Sequence, residues 1–432
     1  MLRTKLKWPI FITILLITYA LWLYAKFSVE QGLYPEEVFL YLSQLFAVTA
    51  VILMSLNFIL SARSYFVESL FGGLDKMYRF HRRLGQIAFV LAWFHPVLLL
   101  VTRFVGIESL RLYFIPGSIL WYNFGISALY TLTLIIMFTV IRVLPYHIWK
   151  HTHRLMILVL ILVGMHMFSA LTPEPLFRLW MFGWLVAGIF SWIYVQFLYK
   201  KVGPVFYYKV VRTNKVGEIT ELYLEPQNKP LLYKPGQFVF MSFMNNKDIG
   251  GEFHPFSISS NPHEYSVRIS AKSLGDYTNQ LTKTNIGDLI KLIGPYGYFT
   301  SERTKGASKQ IWIAGGIGVT PFLSMLASEK DEPSNGKIHF FYSTKTEEEA
   351  VYKDEILKGS EELSDLHINF NYDNKDGYLN AKKIAEQVGD LTNAKILICG
   401  PKIMMYTLRK QFKELGLTDA QIIFEDFALK PE

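Results

Sequence analysis

The chain has 432 residues, of which 51% are hydrophobic, 16% aromatic and only 19% charged. That is more apolar and less charged than a soluble globular domain, which excludes a disordered chain, a collagen-like repeat and a nucleic-acid-binding domain. A single cysteine, Cys399, excludes an intramolecular disulfide and any cysteine-built zinc or iron–sulfur site.

The net charge of +8 is unevenly spread. Residues 1–200 carry 16 Lys and Arg against 7 Asp and Glu, whereas residues 201–432 carry 28 against 29. All of the basic excess belongs to the apolar half. Two solvents are implied, so the chain reads as a membrane domain, residues 1–201, followed by water-facing domains.

Charge-poor stretches run over Trp8–Ala25, Val38–Ala62, Leu84–Thr102, Gly117–Ile141, Leu155–Thr172 and Leu179–Tyr199. Each is close to the ~20 residues that cross a hydrocarbon core, which predicts a bundle of six transmembrane helices. The first lacks the small-residue cleavage site of a signal peptide and ends in Trp and Tyr. Thirteen Lys and Arg fall in the segments on one side of these spans and four on the other. The positive-inside rule then predicts a multi-pass protein of the cell membrane with both termini cytoplasmic.

Six of the ten histidines lie between positions 81 and 166. Ionisable groups inside spans are costly and point to function, and histidine is a common axial ligand of haem iron. His81 and His95 are fourteen residues apart, a rise of ~21 Å that returns to nearly the same helix face. His166 in the fifth span matches His95 in depth, and for the inner position both His151 and His153 are open. On an ideal wheel His151 lies about 60° from His166 and His153 about 140°, which favours His151.

Between residues 202 and 305, segments such as VFYYKVV, ITELYLEP, GQFVFMSF and YSVRIS alternate or are β-branched, predicting a small antiparallel barrel. From residue 306 to 432 short buried strands, IWIAG, KIHFFYS, HINFNY, KILICG and QIIFED, alternate with helical stretches, predicting a doubly wound parallel sheet. Two glycine turns stand at strand ends there. GGIGVTPF at Gly315–Phe322 opens a helix whose N-terminus suits a pyrophosphate, and CGP at Cys399–Pro401 repeats the arrangement. HPFSISS at 254–260 and RISAKSLGDYT at 268–278 combine aromatic, hydroxyl and basic groups on adjacent strands.

The ordered series HPFS, LGDYT, GPYG, GGIGVTP and CGP, behind six spans carrying paired histidines, resembles the ferric reductase and NADPH oxidase superfamily over essentially the whole chain. The resemblance implies a ferric reductase-type transmembrane domain, an FAD-binding barrel and an NAD(P)-binding α/β domain. It implies two b-type haems on His81 with His153 and His95 with His166, displacing the wheel's preference for His151. His254, Pro255, Phe256 and Ser257 match the flavin-ring segment, and Arg268, Lys272, Ser273, Gly275, Asp276 and Thr278 the flavin-phosphate segment. Phe427 matches the aromatic that stacks on the flavin. Gly315, Gly316, Gly318, Thr320 and Pro321 match the pyrophosphate loop, and Cys399, Gly400 and Pro401 the nicotinamide-facing turn. Ser343 and Lys345 stand where the family often binds a ribose 2′-phosphate, which leans toward NADPH over NADH.

The implied activity is transmembrane electron transfer from cytoplasmic NAD(P)H to dioxygen, giving superoxide, without an obligatory protein partner. Eukaryotic oxidases of the family place a histidine four residues after the outer ligand and an arginine in the second span. Here those places offer Leu99 and no arginine between Val38 and Ala62, which keeps ferric-chelate reduction open. A reductase whose spans serve only as an anchor or transport module is the alternative from another class.

Overall fold

The computed structural model describes residues 6–29, 31–102, 106–141, 144, 146–304, 306–334, 336–361 and 363–425, and the chain divides into two compact units, Met1–Lys201 and Val202–Glu432. Expectations that fall on Phe427 lie outside the described residues.

The first unit holds six helices long and apolar enough to cross a membrane. They are formed by α1 (Lys7–Val29), α2 (Val38–Ser61), α3 (Leu74–Thr102), α4 (Leu120–Ile141), the broken pair α5 (Tyr146–Arg154) and α6 (Met156–Ala170), and α7 (Pro175–Ile193), which continues as a π-helical stretch to Leu198. Their outward surfaces are apolar, with Val140, Leu179, Val186 and Phe190 each more than 60% exposed. Such a surface suits a lipid surrounding. Where helices meet, small residues let them close: a side chain at Gly164 would strike Leu185, and one at Gly188 would press on Leu160 and Ser55.

Two of these helices depart from the hydropathy pattern. Helix α3 begins ten residues before its apolar stretch, because charged residues stop a hydropathy window without stopping a helix. Asp75 and Arg79 pair at 2.5 Å across one turn, and the extension carries His81. The fifth span is interrupted at Leu155, whose N–H bonds to Thr152 O at 3.0 Å while Leu158 N–H bonds to Leu155 O at 2.9 Å. These i→i−3 bonds tighten the turn and change the helical phase between residues 153 and 166.

The second unit contains two sheets. Strands β1 (Val205–Val216), β2 (Ile219–Pro226), β3 (Phe238–Phe243), β4 (His254–Ser257), β5 (Val267–Lys272) and β6 (Leu289–Tyr296) form an antiparallel sheet in the order β4-β3-β6-β1-β2-β5. Its two edges meet at the Ile258–Ile269 bridge, which closes the sheet around Val210, Leu222, Met241, Ile269 and Leu292. Strands β7 (Lys309–Gly315), β8 (Lys337–Thr344), β9 (Leu366–Tyr372), β10 (Ala394–Cys399) and β11 (Ile422–Phe424) form a wholly parallel sheet in the order β11-β10-β7-β8-β9. Helices α8 (Thr320–Glu329), α9 (Lys353–Ser360), α10 (Ala381–Val388) and α11 (Lys402–Glu414) supply apolar residues to the cores on its faces. The chain winds outward from β7 to β9 and then returns to place β10 on the other side of β7. The order therefore reverses between β7 and β10, and ligands of such sheets bind at the carboxyl edge of that reversal.

Candidate functional site

The histidines of the first unit form two facing pairs. The rings of His81 and His153 have centroids 6.4 Å apart at 61°, and those of His95 and His166 are 6.4 Å apart at 63°. Two imidazoles on opposite sides of one ion, each bonded at ~2.0–2.1 Å through a nitrogen about 1.1 Å from the ring centre, place their centroids a little over 6 Å apart. Both pairs fit that spacing, and His151 is exposed.

Backbone groups set the nitrogen each ring can offer. Nδ1 of His81 lies 3.2 Å from Asn57 O, that of His95 3.1 Å from Ser43 O and 2.7 Å from Ser43 Oγ, and that of His166 2.9 Å from Trp121 O. A ring that donates Nδ1–H to a carbonyl keeps the Nε2 lone pair free for a metal. Nδ1 of His153 is buried with no hydrogen-bond partner among the described residues, and the ring is instead held by stacking on Trp149 at 5.3 Å. Gly125 on α4 leaves room for His166, since a Cβ there would lie 3.0 Å from Nδ1. Ser43, Trp121 and Gly125 carry no motif in the sequence. Ser43 is one polar residue in an apolar helix, Trp121 acts through its carbonyl, and Gly125 acts through the side chain it lacks.

In the barrel, His254 stacks on Tyr277 with ring centroids 3.7 Å apart at 23°, and its Nε2 lies 3.3 Å from Glu252 Oε2. The Tyr277 hydroxyl is buried without a hydrogen-bond partner among the described residues, as a group that meets a further polar ligand would be. Phe256 is buried, while Pro255 and Ser257 are half-buried beside it. Thr278 organises the following turn: its Oγ1 accepts from Leu274 N–H at 2.9 Å and Gly275 N–H at 3.0 Å, beside the exposed Asp276. Ser273 N–H bonds to Glu218 O at 3.0 Å.

The two basic residues of this segment face carboxylates. Arg268 donates to Glu355 at 2.6 and 3.0 Å, to Ser259 O at 2.9 Å and to Ser259 Oγ at 3.2 Å, with Glu221 3.8 Å away. Burial pulls its pKa down, but the hydrogen bond and charge of Glu355, with Glu221, outweigh that and hold it above the ordinary arginine value. Lys272 lies 3.3 Å from both Glu218 and Glu349. Glu349 and Glu355 belong to the second half of the unit, so these pairs tie the barrel to the parallel-sheet lobe.

At the carboxyl edge of the parallel sheet the two glycine turns abut. A Cβ on Gly318 would collide with the Cys399 carbonyl, and one on Gly315 would come within 2.8 Å of Pro401. Gly316, at φ +53°, has nothing within 4 Å of the Cβ position and opens the turn to a ligand. Thr320 closes it, donating Oγ1–H to Ile317 O at 3.1 Å, and Pro321 lies in the first turn of α8. Cys399 is buried, and its burial, reinforced by the Glu425 carboxylate, pushes the thiol pKa up, so the sulfur stays protonated. Ser343 is buried at the end of β8, and Lys345 beyond it is exposed.

Comparison with known proteins accounts for each part in turn. Residues 46–164 match the family described as "Ferric reductase like transmembrane component", residues 205–300 an FAD-binding domain and residues 312–410 an oxidoreductase NAD-binding domain. The chain belongs to the ferric reductase and NADPH oxidase superfamily. It is 32% identical over 209 residues to the sulfhydrogenase 2 subunit gamma of Pyrococcus furiosus, covering 44% of this chain and 70% of that one. It is 28% identical over 249 residues to a flavohemoprotein of Rhodopirellula baltica, covering 51% of this chain, and it spans only 60% of that relative's length. In fold it is similar to the flavohemoglobin from Malassezia yamatoensis, with a TM-score of 0.50 at 19% identity over 91% of this chain and 98% of that one. This member of the superfamily is thus a membrane oxidoreductase with FAD- and NAD-binding domains.

Proposed function

We propose that the protein carries electrons from cytoplasmic NAD(P)H through FAD and two b-type haems to dioxygen on the opposite face of the membrane, producing superoxide. The observation that carries this reading is the pair of histidine pairs, alike in spacing and fourteen residues apart along α3. When bound, a flavin supplies the conversion of a hydride's electron pair into single electrons, and haem irons accept those one at a time.

The chain's own residues supply positions. His81 with His153 would hold one haem and His95 with His166 the other, each ring fixed from behind by a carbonyl or, for His153, by Trp149. Both residues of a pair would be engaged in holding their haem, whose chemistry would then be the transfer of single electrons without coordination of the acceptor. The His254–Tyr277 stack offers a flat wall for the flavin ring, and the Gly315–Gly318 turn offers backbone N–H groups to the pyrophosphate. The buried, protonated Cys399 gives that crevice an uncharged floor. Basic residues on the inner segments support cytoplasmic termini and hence a cytoplasmic nucleotide.

Ferric-chelate reduction is the second reading, favoured by Leu99 and by a second span without arginine. A mere anchor has no use for two matched histidine pairs. His95→Leu is expected to halve the haem bound per chain in a pyridine haemochrome assay while leaving NAD(P)H-driven flavin reduction intact. Full haem content in that variant would contradict the assignment.

A further inference from the structure

Gly315, Ser343 and Asn371 form one row across β7, β8 and β9, each in register with the next. Gly315 opens the pyrophosphate turn, so a dinucleotide laid along this edge reaches Ser343 one strand spacing, ~4.8 Å, further on. Ser343 and Asn371 are both buried, and both donate to one oxygen. Ser343 Oγ lies 3.2 Å from Asp373 Oδ1, and Asn371 Nδ2 lies 3.2 Å from the same atom. Asn371 Nδ2 also contacts Ser343 Oγ at 3.3 Å and Gly377 O at 3.1 Å. Asp373 directly follows β9, and its carbonyl accepts from Gly377 N–H at 3.1 Å, so the carboxylate stands on an ordered turn.

We infer that Asp373 makes this site select NADH over NADPH, an inference that rests on the nicotinamide reading above. A carboxylate fixed beside Ser343 accepts hydrogen bonds from a ribose diol and repels a 2′-phosphate. The neighbouring cations do not reverse that sign. Lys353 and Lys375 both bind Glu347, at 2.7 and 2.9 Å. Lys345, to which the sequence pointed as a phosphate partner, has an exposed side chain where solvent and salt weaken its charge. The carboxylate is hydrogen-bonded to the buried residues of the row, and the lysine is not.

The test uses the full-length protein loaded with FAD in detergent, mixed anaerobically with NADH or NADPH over a range of concentrations. Bleaching of the flavin gives an apparent Kd and a limiting rate for each nucleotide. The expected wild-type result is a Kd for NADH about tenfold or more below that for NADPH. Asp373→Asn, and Asp373→Ser should the first variant fold poorly, are expected to shrink that ratio about tenfold through the Kd of NADPH, not through the limiting rates. Equal or tighter NADPH binding in the wild type, or an unchanged ratio in both variants, overturns the inference and leaves the nicotinamide reading standing. If neither nucleotide bleaches the flavin, the nicotinamide reading falls and this inference with it.

Discussion

Gly318 and Gly316 separate two reasons for a glycine that a motif cannot tell apart. At Gly318 the obstacle is space, because the Cys399 carbonyl and the Gly400 Cα occupy the place of a side chain. At Gly316 the space is open and only the positive φ stands against a side chain. Gly318→Ala therefore overpacks the junction of β7 and β10 and is expected to cost about 1–3 kcal/mol. Gly316→Ala costs only the left-handed conformation, about 1–2 kcal/mol. The distinguishing measurement is nucleotide-driven flavin reduction. We expect Gly318→Ala to impair it more than Gly316→Ala, because the former parts the two turns proposed to seat the nucleotide, and equal losses would contradict this. The glycines themselves stood out in the sequence because turns at strand ends need them. Asp373 did not, since its significance lies in a hydrogen bond to Ser343 thirty positions away.

The secondary elements were legible wherever one solvent governed a whole segment. Six apolar spans and two strand patterns announce themselves because lipid, barrel core and parallel sheet each impose a period or a length. Irregularity was not legible. The wheel favoured His151 because it assumed an unbroken helix, and the tightened turn at Leu155 breaks that assumption. Arg268 matches the flavin-phosphate segment only through the family resemblance, and the ion pairs that folding gives it were not legible: it lies 13% exposed between Glu355, Glu221 and Ser259, where it ties the barrel to α9. Removing the guanidinium leaves the Glu221 carboxylate buried with less compensation. A double-mutant cycle over Arg268→Ala and Glu355→Ala, read by thermal or denaturant unfolding of the FAD-loaded protein, is expected to show coupling of about 2 kcal/mol. Additive effects would mean that the contact does not hold the lobes together.

At the scale of the whole molecule, a ferric reductase-like transmembrane component, an FAD-binding domain and an NAD-binding domain follow one another along the chain, the order that the proposed electron route uses. The basic excess of the first 200 residues supports the proposed topology, the barrel and parallel sheet share one compact unit, and the paired histidines sit in the other. Domain order and fold were readable from the sequence because each domain carries its own composition. The outer pair was readable through depth and spacing and the inner partner His153 only through the family resemblance, since ring orientation is set by carbonyls at Asn57, Ser43 and Trp121 that no side-chain pattern reveals. The most direct test of the proposed route is the visible spectrum of the purified protein, supplied with FAD and haem, taken without oxygen before and after NADH and again after admitting air. The account predicts that NADH raises the sharp bands of reduced b-type haem and that air abolishes them promptly. Folded, flavin-loaded protein that shows no haem bands, or haem that stays oxidised while NADH reduces the flavin, would contradict it.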